Sequence, residues 1–376
     1  MKIVLAPDSY KGSLSSIRVS EVMADAVHSI DSNIETIVKP MADGGEGTLD
    51  ALLKATAGKK ISIDCKGPLG EESQSWYVEL PDKTAVIETA NIAGLQLLSE
   101  QNKNPDLTTT YGIGEAILDA LDRGNHTIIV TLGGSATNDG GLGMLQALGM
   151  KAWSATGREV GIYGESLFSV NKIDIRSLDK RLENVNIKIA SDVDNPLTGT
   201  NGASHVYGMQ KGANGSRIID YDQALEKYGP LVEKAFDKQV MNKKGAGAAG
   251  GLGFALLALG GELQSGADLV AETIGLREAI QDADFIFTGE GQSDRQTLYG
   301  KAPGHVAKIG KESNKPTILL SGSLDGDLSK LNELFVGCFS IVSGPKTLEE
   351  CIDNVEDLLF ETTRQVTNVL KGVAGS

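Results

Sequence analysis

Six stretches of this chain gather carboxylates, lysines, hydroxyls and amides among glycines, and five of them follow a short apolar run. After residues 3–6 come Asp8, Ser9, Lys11 and Ser13 around Gly12. Lys11, the Ser9 hydroxyl and the N–H groups of a following helix start can hold a phosphate or a carboxylate, with Asp8 beside them. As plain turn chemistry, Asp8 and Ser13 would be turn and cap residues and Lys11 a solvated side chain. After residues 36–39, Asp43 is followed by Gly44, Gly45, Glu46 and Gly47. Three glycines around a glutamate let backbone approach a ligand closely, although Asp43 and Glu46 also have capping-box spacing. Residues 133–141 are the most concentrated: glycine pairs flank Ser135, Thr137, Asn138 and Asp139. That pattern suits a cradle for a sugar acid or a phosphate and holds more glycine than a turn requires. After residues 187–190, Asp192, Asp194 and Asn195 present hard oxygen ligands of the kind Mg²⁺ takes alongside substrate phosphates. The two carboxylates share one face if the strand continues, whereas the alternative is an Asx-turn before Pro196. The same tract adds a cation at Lys211. Residues 288–296, followed by Gly300 and Lys301, put Glu290, Gln292, Asp294 and Lys301 at another strand end.

The sixth stretch, residues 245–251, spells GxGxxG, the dinucleotide fingerprint. No good strand precedes it and no acidic residue stands where a ribose partner belongs, so close helix packing or an anion-facing helix start is the better reading. GxxxxGK[ST], GxSxG, HRD and DFG are all absent, which excludes P-loop, nucleophile-elbow and protein-kinase chemistry. The four histidines show no zinc spacing. Cys65, Cys338 and Cys351 are too few and too scattered for a disulfide framework and read as reduced thiols in a cytoplasmic protein.

The elements that must position these loops alternate. Strand-like aliphatic runs fall at 3–6, 36–39, 127–132, 187–190, 285–288, 317–321 and 339–342. Helical patterns fall at 15–29, 47–56, 111–122, 141–148, 219–237, 252–259, 267–281, 303–312 and 347–370. Runs with so little polar alternation suit parallel strands buried on both faces, and strand-then-helix order means α/β. In such sheets ligands bind beyond the carboxyl ends of the strands, where most of the chemistry-bearing loops lie. Residues 60–90 break the rhythm with three short runs separated by turns, the pattern of a meander. The expected architecture is therefore two-domain: a Rossmann-like open parallel sheet from residues 1–60 plus 265–376, with a second α/β domain inserted at 61–264.

Composition agrees. Aromatic residues are only 5% of 376, so the core must be aliphatic, and 46 glycines exceed the usual share of ~7%. A net charge of −15 disfavours nucleic acid and anionic membrane surfaces as partners. The apolar segment 245–261 is short of the ~20 residues of a membrane span and reads as a packed internal helix.

Taken in order, APDSYKGS, MADGGEGT, GGSATNDGG, SDVDNPL with QKGA, GAGAAGGLG and TGEGQSDRQTLYGK resemble the type-1 glycerate kinase family of bacteria over essentially the whole chain. The resemblance implies ATP-dependent phosphorylation of D-glycerate with Mg²⁺, in an active site in an interdomain cleft. The 2-phosphate is the favoured product and the 3-phosphate the other option. Tyr10 and Met209 stand where the family pattern has Phe and Pro; neither change removes a charge. On this reading Lys11, Lys211 and Lys301 neutralise the glycerate carboxylate and the ATP phosphates, with Lys11, Asp8 and Asp192 as the catalytic residues. Asp192 and Asp194 are metal ligands, and either can be the base. Ser9, Ser135, Asn138, Asp139 and Lys211 bind substrate. Gly44, Gly45, Glu46, Glu290, Asp294 and Lys301 bind nucleotide or phosphate, with Glu290 and Asp294 as second candidates for metal or base work. A non-catalytic sugar-acid-binding protein and an NAD-dependent hydroxy-acid dehydrogenase are the rivals. Oligomeric state is left open, a homodimer included.

Overall fold

The structure is a computed structural model that describes residues 1–298, 301–326 and 329–374; Tyr299 and Gly300, quoted above just before Lys301, lie outside the described residues. Its strands are β1 (Lys2–Leu5), β2 (Glu35–Val38), β3 (Lys59–Lys66), β4 (Glu72–Glu79), β5 (Thr84–Glu88), β6 (Thr127–Thr131), β7 (Lys151–Ser154), β8 (Val170–Asp174), β9 (Asn186–Ala190), β10 (Glu262–Gln264), β11 (Phe285–Ser293), β12 (Thr317–Leu324) and β13 (Gly337–Ser340). The chain divides into two compact units. One comprises Met1–Asp43, Asp50–Thr56 and Ser265–Ser376; the other comprises Gly44–Leu49 and Ala57–Gln264.

The first unit is built on a five-stranded sheet of order β13-β12-β11-β1-β2, parallel throughout. The chain starts at β1, steps to β2, and later resumes on the other side of β1 at β11 before moving outward. The boundary between β1 and β11 is thus a topological switch point, the place where open α/β sheets bind ligands. Aliphatic burial on both faces explains the sheet. Ile3, Leu5, Phe287, Ile318 and Leu320 pack with Val19, Val22, Met23 and Val27 of the helix Ser16–Ile30 and with Leu359 and Val366 of the helix Val355–Ala374. Ser15 caps Ser16–Ile30 by accepting the Arg18 N–H at 3.2 Å.

The second unit has a six-stranded sheet of order β10-β9-β6-β5-β4-β3. Strands β5, β6, β9 and β10 are parallel, while β3, β4 and β5 form the antiparallel meander that the turns at 60–90 foreshadow. Its core is aliphatic, with the side chains of Tyr77, Tyr221, Tyr228 and Phe254 filling gaps. The helix Ala248–Ala258 is buried along its whole length, as expected for the 245–261 segment. Among the described residues no helix is long and apolar enough to cross a membrane.

Two local readings need correction, and one pair of strands went unread. The pattern at 267–281 is two helices, Gly266–Thr273 and Leu276–Gln281, because Gly275 adopts a left-handed φ of 64° between them. Residues 347–370 likewise split at Asn354. The pair β7 and β8 forms a small antiparallel ribbon that no apolar run announced.

Candidate active site

The switch point of the first unit collects the loops that follow β1, β2 and β11. The Asp8 N–H donates to the Gly289 carbonyl at 2.8 Å and the Met41 N–H to Pro7 at 2.8 Å, so the three loops are stitched by backbone. Asp8 is 7% exposed, and one carboxylate oxygen accepts the Ser9 N–H at 2.6 Å. Burial, with the Asp43 carboxylate next and Glu290 behind, pushes its carboxyl up to about 7, against the pull of the Ser9 N–H and Lys11. Lys11 stands on a tight turn in which Tyr10 and Leu14 exchange backbone hydrogen bonds, and its ammonium meets Asp43 at 2.9 Å. Lys11 is exposed, and the water its surroundings do displace works against that charge, but Asp43, Asp8 and Glu290 outweigh it and hold the ammonium above its ordinary value. The helix start expected beside Lys11 is not there: the helix begins at Ser16, beyond the turn.

On the other side of the switch point, Glu290 is buried. It accepts from the Ser293 hydroxyl at 3.0 Å and the Thr297 hydroxyl at 2.6 Å, and pairs with Lys301 at 3.1 Å. Lys301 also lies 3.8 Å from Asp294 and donates to the Gln292 carbonyl at 3.2 Å. Four carboxylates, Asp8, Asp43, Glu290 and Asp294, thus share this end of the sheet with two lysines.

The second unit presents a different site at the carboxyl ends of its parallel strands. The loop after β6 holds Ser135 and Asn138, both buried. Lys211, on the turn Met209–Lys211, is 2% exposed and donates to the Ser135 hydroxyl at 2.9 Å and the Thr137 carbonyl at 2.6 Å. Burial brings its ammonium down to about 7, opposed by the Asp139 carboxylate. The Asn138 amide donates to the Ser204 hydroxyl at 2.9 Å, while its carbonyl oxygen and the Thr137 hydroxyl are buried without hydrogen-bond partners among the described residues.

Asp139 faces inward. Its carboxylate accepts from the Thr110 N–H at 2.9 Å, the Thr110 hydroxyl at 2.7 Å, the Gly141 N–H at 3.0 Å and the Gly143 N–H at 3.2 Å. Burial raises its carboxyl and these four donors oppose the rise. It is therefore the staple that shapes the loop.

Gly44, Gly45 and Glu46 group with the second unit. With its amide nitrogen turned to the carboxylate, Gln96 donates to Glu46 at 2.7 and 2.9 Å. A methyl placed on Gly133 would meet the Gly45 Cα at 2.5 Å, so these two glycine loops touch backbone to backbone.

The GxGxxG stretch packs against the same cradle. Ala249, Gly250 and Gly251 have φ of 51°, 67° and 91°, a kink at the helix start, and the Gly140 N–H donates to the Gly250 carbonyl at 2.9 Å. A side chain on Gly250 would run into the Thr137 carbonyl.

Asp192 and Asp194 are both exposed beyond β9, which ends at Ala190, so no strand carries them onto one face. Asp194 pairs with Lys244 at 2.8 Å. Among the described residues no group of three or more His, Cys, Asp or Glu is arranged to hold a metal. A Mg²⁺ ion on Asp192 and Asp194 would take its other positions from phosphate and water, which suits that ion's usual habit.

Reading the sequence missed Thr110 and Ser204, which hold Asp139 and Asn138, and passed over Thr297, which holds Glu290. The run of three buried threonines at 108–110 before a helix was the available signal; Ser204 carried none.

The glycerate kinase family model matches residues 3–371. The glycerate 2-kinase of Escherichia coli (strain K12) is 43% identical over 373 residues, covering 98% of both chains. The glycerate kinase of Bacillus subtilis (strain 168) is 41% identical over 374 residues, covering 99% of this chain and 98% of its own. A crystal structure from Salmonella typhimurium LT2, assigned as a glycerate kinase 2, is 41% identical with a TM-score of 0.89 and full coverage of both chains.

Proposed function

The chain belongs to the glycerate kinase family, and from that premise we propose that it transfers the γ-phosphoryl group of ATP to a hydroxyl of D-glycerate in the cytoplasm, with 2-phosphoglycerate as product. The observation that carries this reading is the Lys211 cradle, a buried lysine Nζ beside the Ser135 hydroxyl in a glycine-shaped loop. It offers a small hydroxy acid one cation for its carboxylate and, in Ser135 and Asn138, polar groups for its hydroxyls. Asp139 serves here as a positioning residue, since its four hydrogen bonds fix the loop.

Phosphoryl transfer asks mainly for positioning and neutralised charge. Lys11 and Lys301 supply cations for phosphate oxygens, with Glu290 holding Lys301 in place. Asp8 is able to hold or release a proton near neutral pH, the property a general base for a hydroxyl needs. Asp192 and Asp194 are the carboxylates that would hold Mg²⁺, which when bound neutralises phosphate charge.

Purified protein with ATP, Mg²⁺ and D-glycerate should release ADP, and phosphorus NMR should place the new ester at C2. Glycerate binding without ADP release would instead support a sugar-acid-binding protein. NADH formation would support a dehydrogenase, a reading that the kinked packing of residues 249–251 disfavours.

A further inference from the structure

We infer that binding of the substrate carboxylate at Lys211 draws one proton from solvent, so that glycerate enters the cradle as an ion pair assembled on arrival. The inference rests on the assignment of the cradle to glycerate.

Lys211 is buried, yet among the described residues no carboxylate lies within ion-pair distance of it. Among the described residues the charged group that acts on it is Asp139, and that carboxylate is saturated by Thr110, Gly141 and Gly143. The remaining neighbours, Ser135 and the Thr137 carbonyl, are neutral. A buried cation without a counter-ion is costly, and such a group relieves the cost by releasing its proton. The fold provides two acceptors, and a neutral amine has two hydrogens to give. The protein groups of the cradle by themselves therefore suit –NH₂ and leave the ammonium's third hydrogen unused.

A bound carboxylate supplies the missing counter-charge. The balance is one carboxylate, one neutral amine and one proton from buffer giving a carboxylate–ammonium pair, with no bond formed or broken in the ligand. Binding and protonation are reciprocal, so each strengthens the other by the same factor.

The test is titration calorimetry of D-glycerate into wild-type protein at pH 8, in HEPES, Tricine and Tris, whose ionisation heats differ. Observed enthalpy should vary linearly with buffer heat at a slope near one proton, and Kd should rise about tenfold per pH unit above neutrality. D-Glyceramide, which lacks the charge, should show a slope near zero. Saturable glycerate binding with a buffer-independent enthalpy and a flat Kd from pH 7 to 9 would overturn the inference while leaving the functional assignment intact. Absence of glycerate binding at any pH, with or without nucleotide, would overturn the assignment and the inference together.

Discussion

Burying Asp8 at the end of β1 gives its charge a cost whose sign can be worked out. Its carboxyl has an ordinary value of 3.8 and is held at about 7 in the fold. Between those values the folded chain keeps a proton that the unfolded chain has lost, so stability falls as pH rises through that window. Asp8→Asn removes the cost, which by the linkage constant is at most about 4 kcal/mol. The variant should melt above the parent at pH 8 and level with it near pH 3.5, while kcat drops roughly 10²–10⁴-fold. Equal melting points at both pH values would remove Asp8 from the role of buried proton carrier. Lys11 behaves differently because it is exposed. Lys11→Met should leave stability within about 1 kcal/mol, since a surface pair such as Lys11–Asp43 is worth little. If the charge acts in the transition state, kcat should fall roughly 10²–10³-fold; steady-state kinetics on folded protein within twofold of wild type would sink that role. The position of both beyond a strand end was legible, because an apolar run precedes them. Asp139's inward use was hidden, because its partner Thr110 is 29 positions away and only the fold brings them together.

At the scale of elements, aliphatic runs located the parallel strands, since burial on both faces leaves a continuous apolar signature. What such runs cannot show is how far pairing extends. β11 continues through the polar residues Gly289–Ser293 because β12 runs beside it, with Gln292 paired to Ser323. That continuation is what carries Glu290 into its network with Ser293, Thr297 and Lys301. The GxGxxG stretch was ambiguous for a related reason: the same glycines serve a phosphate or a neighbouring backbone, and the spacing does not say which. Here the neighbour is the cradle loop. Gly250→Ala should therefore cost about 2–4 kcal/mol, from a left-handed φ together with a clash against the Thr137 carbonyl. It should also raise KM for glycerate. Gly12→Ala, with a φ of 82° and open space around it, should cost only about 1–2 kcal/mol. Urea melts of the two variants check the contrast, and comparable losses would mean that packing against the cradle adds nothing.

For the whole molecule the governing quantity is charge. The chain carries −15, and both proposed substrates are anions. At the switch point of the first unit the acids Asp8, Asp43, Glu290 and Asp294 outnumber Lys11 and Lys301, and the lysines are already paired to Asp43 and Glu290. A metal-free nucleoside triphosphate approaching there would meet net repulsion locally and from the molecule at large. Mg²⁺ on the phosphates would cancel part of the nucleotide's charge and so reduce that repulsion. Activity should therefore vanish in excess EDTA and return with Mg²⁺ or Mn²⁺, and Asp192→Asn should raise the Mg²⁺ concentration needed for half-maximal rate. Ionic strength supplies an independent check, because the Debye length shrinks from ~30 Å at 0.01 M to ~10 Å at 0.1 M. In EDTA, nucleotide binding measured by calorimetry should strengthen with added salt, as screening relieves repulsion. With Mg²⁺ present the dependence should be weak. Metal-free binding that weakened with salt would mean that the lysines, and not the carboxylates, set the potential the nucleotide meets.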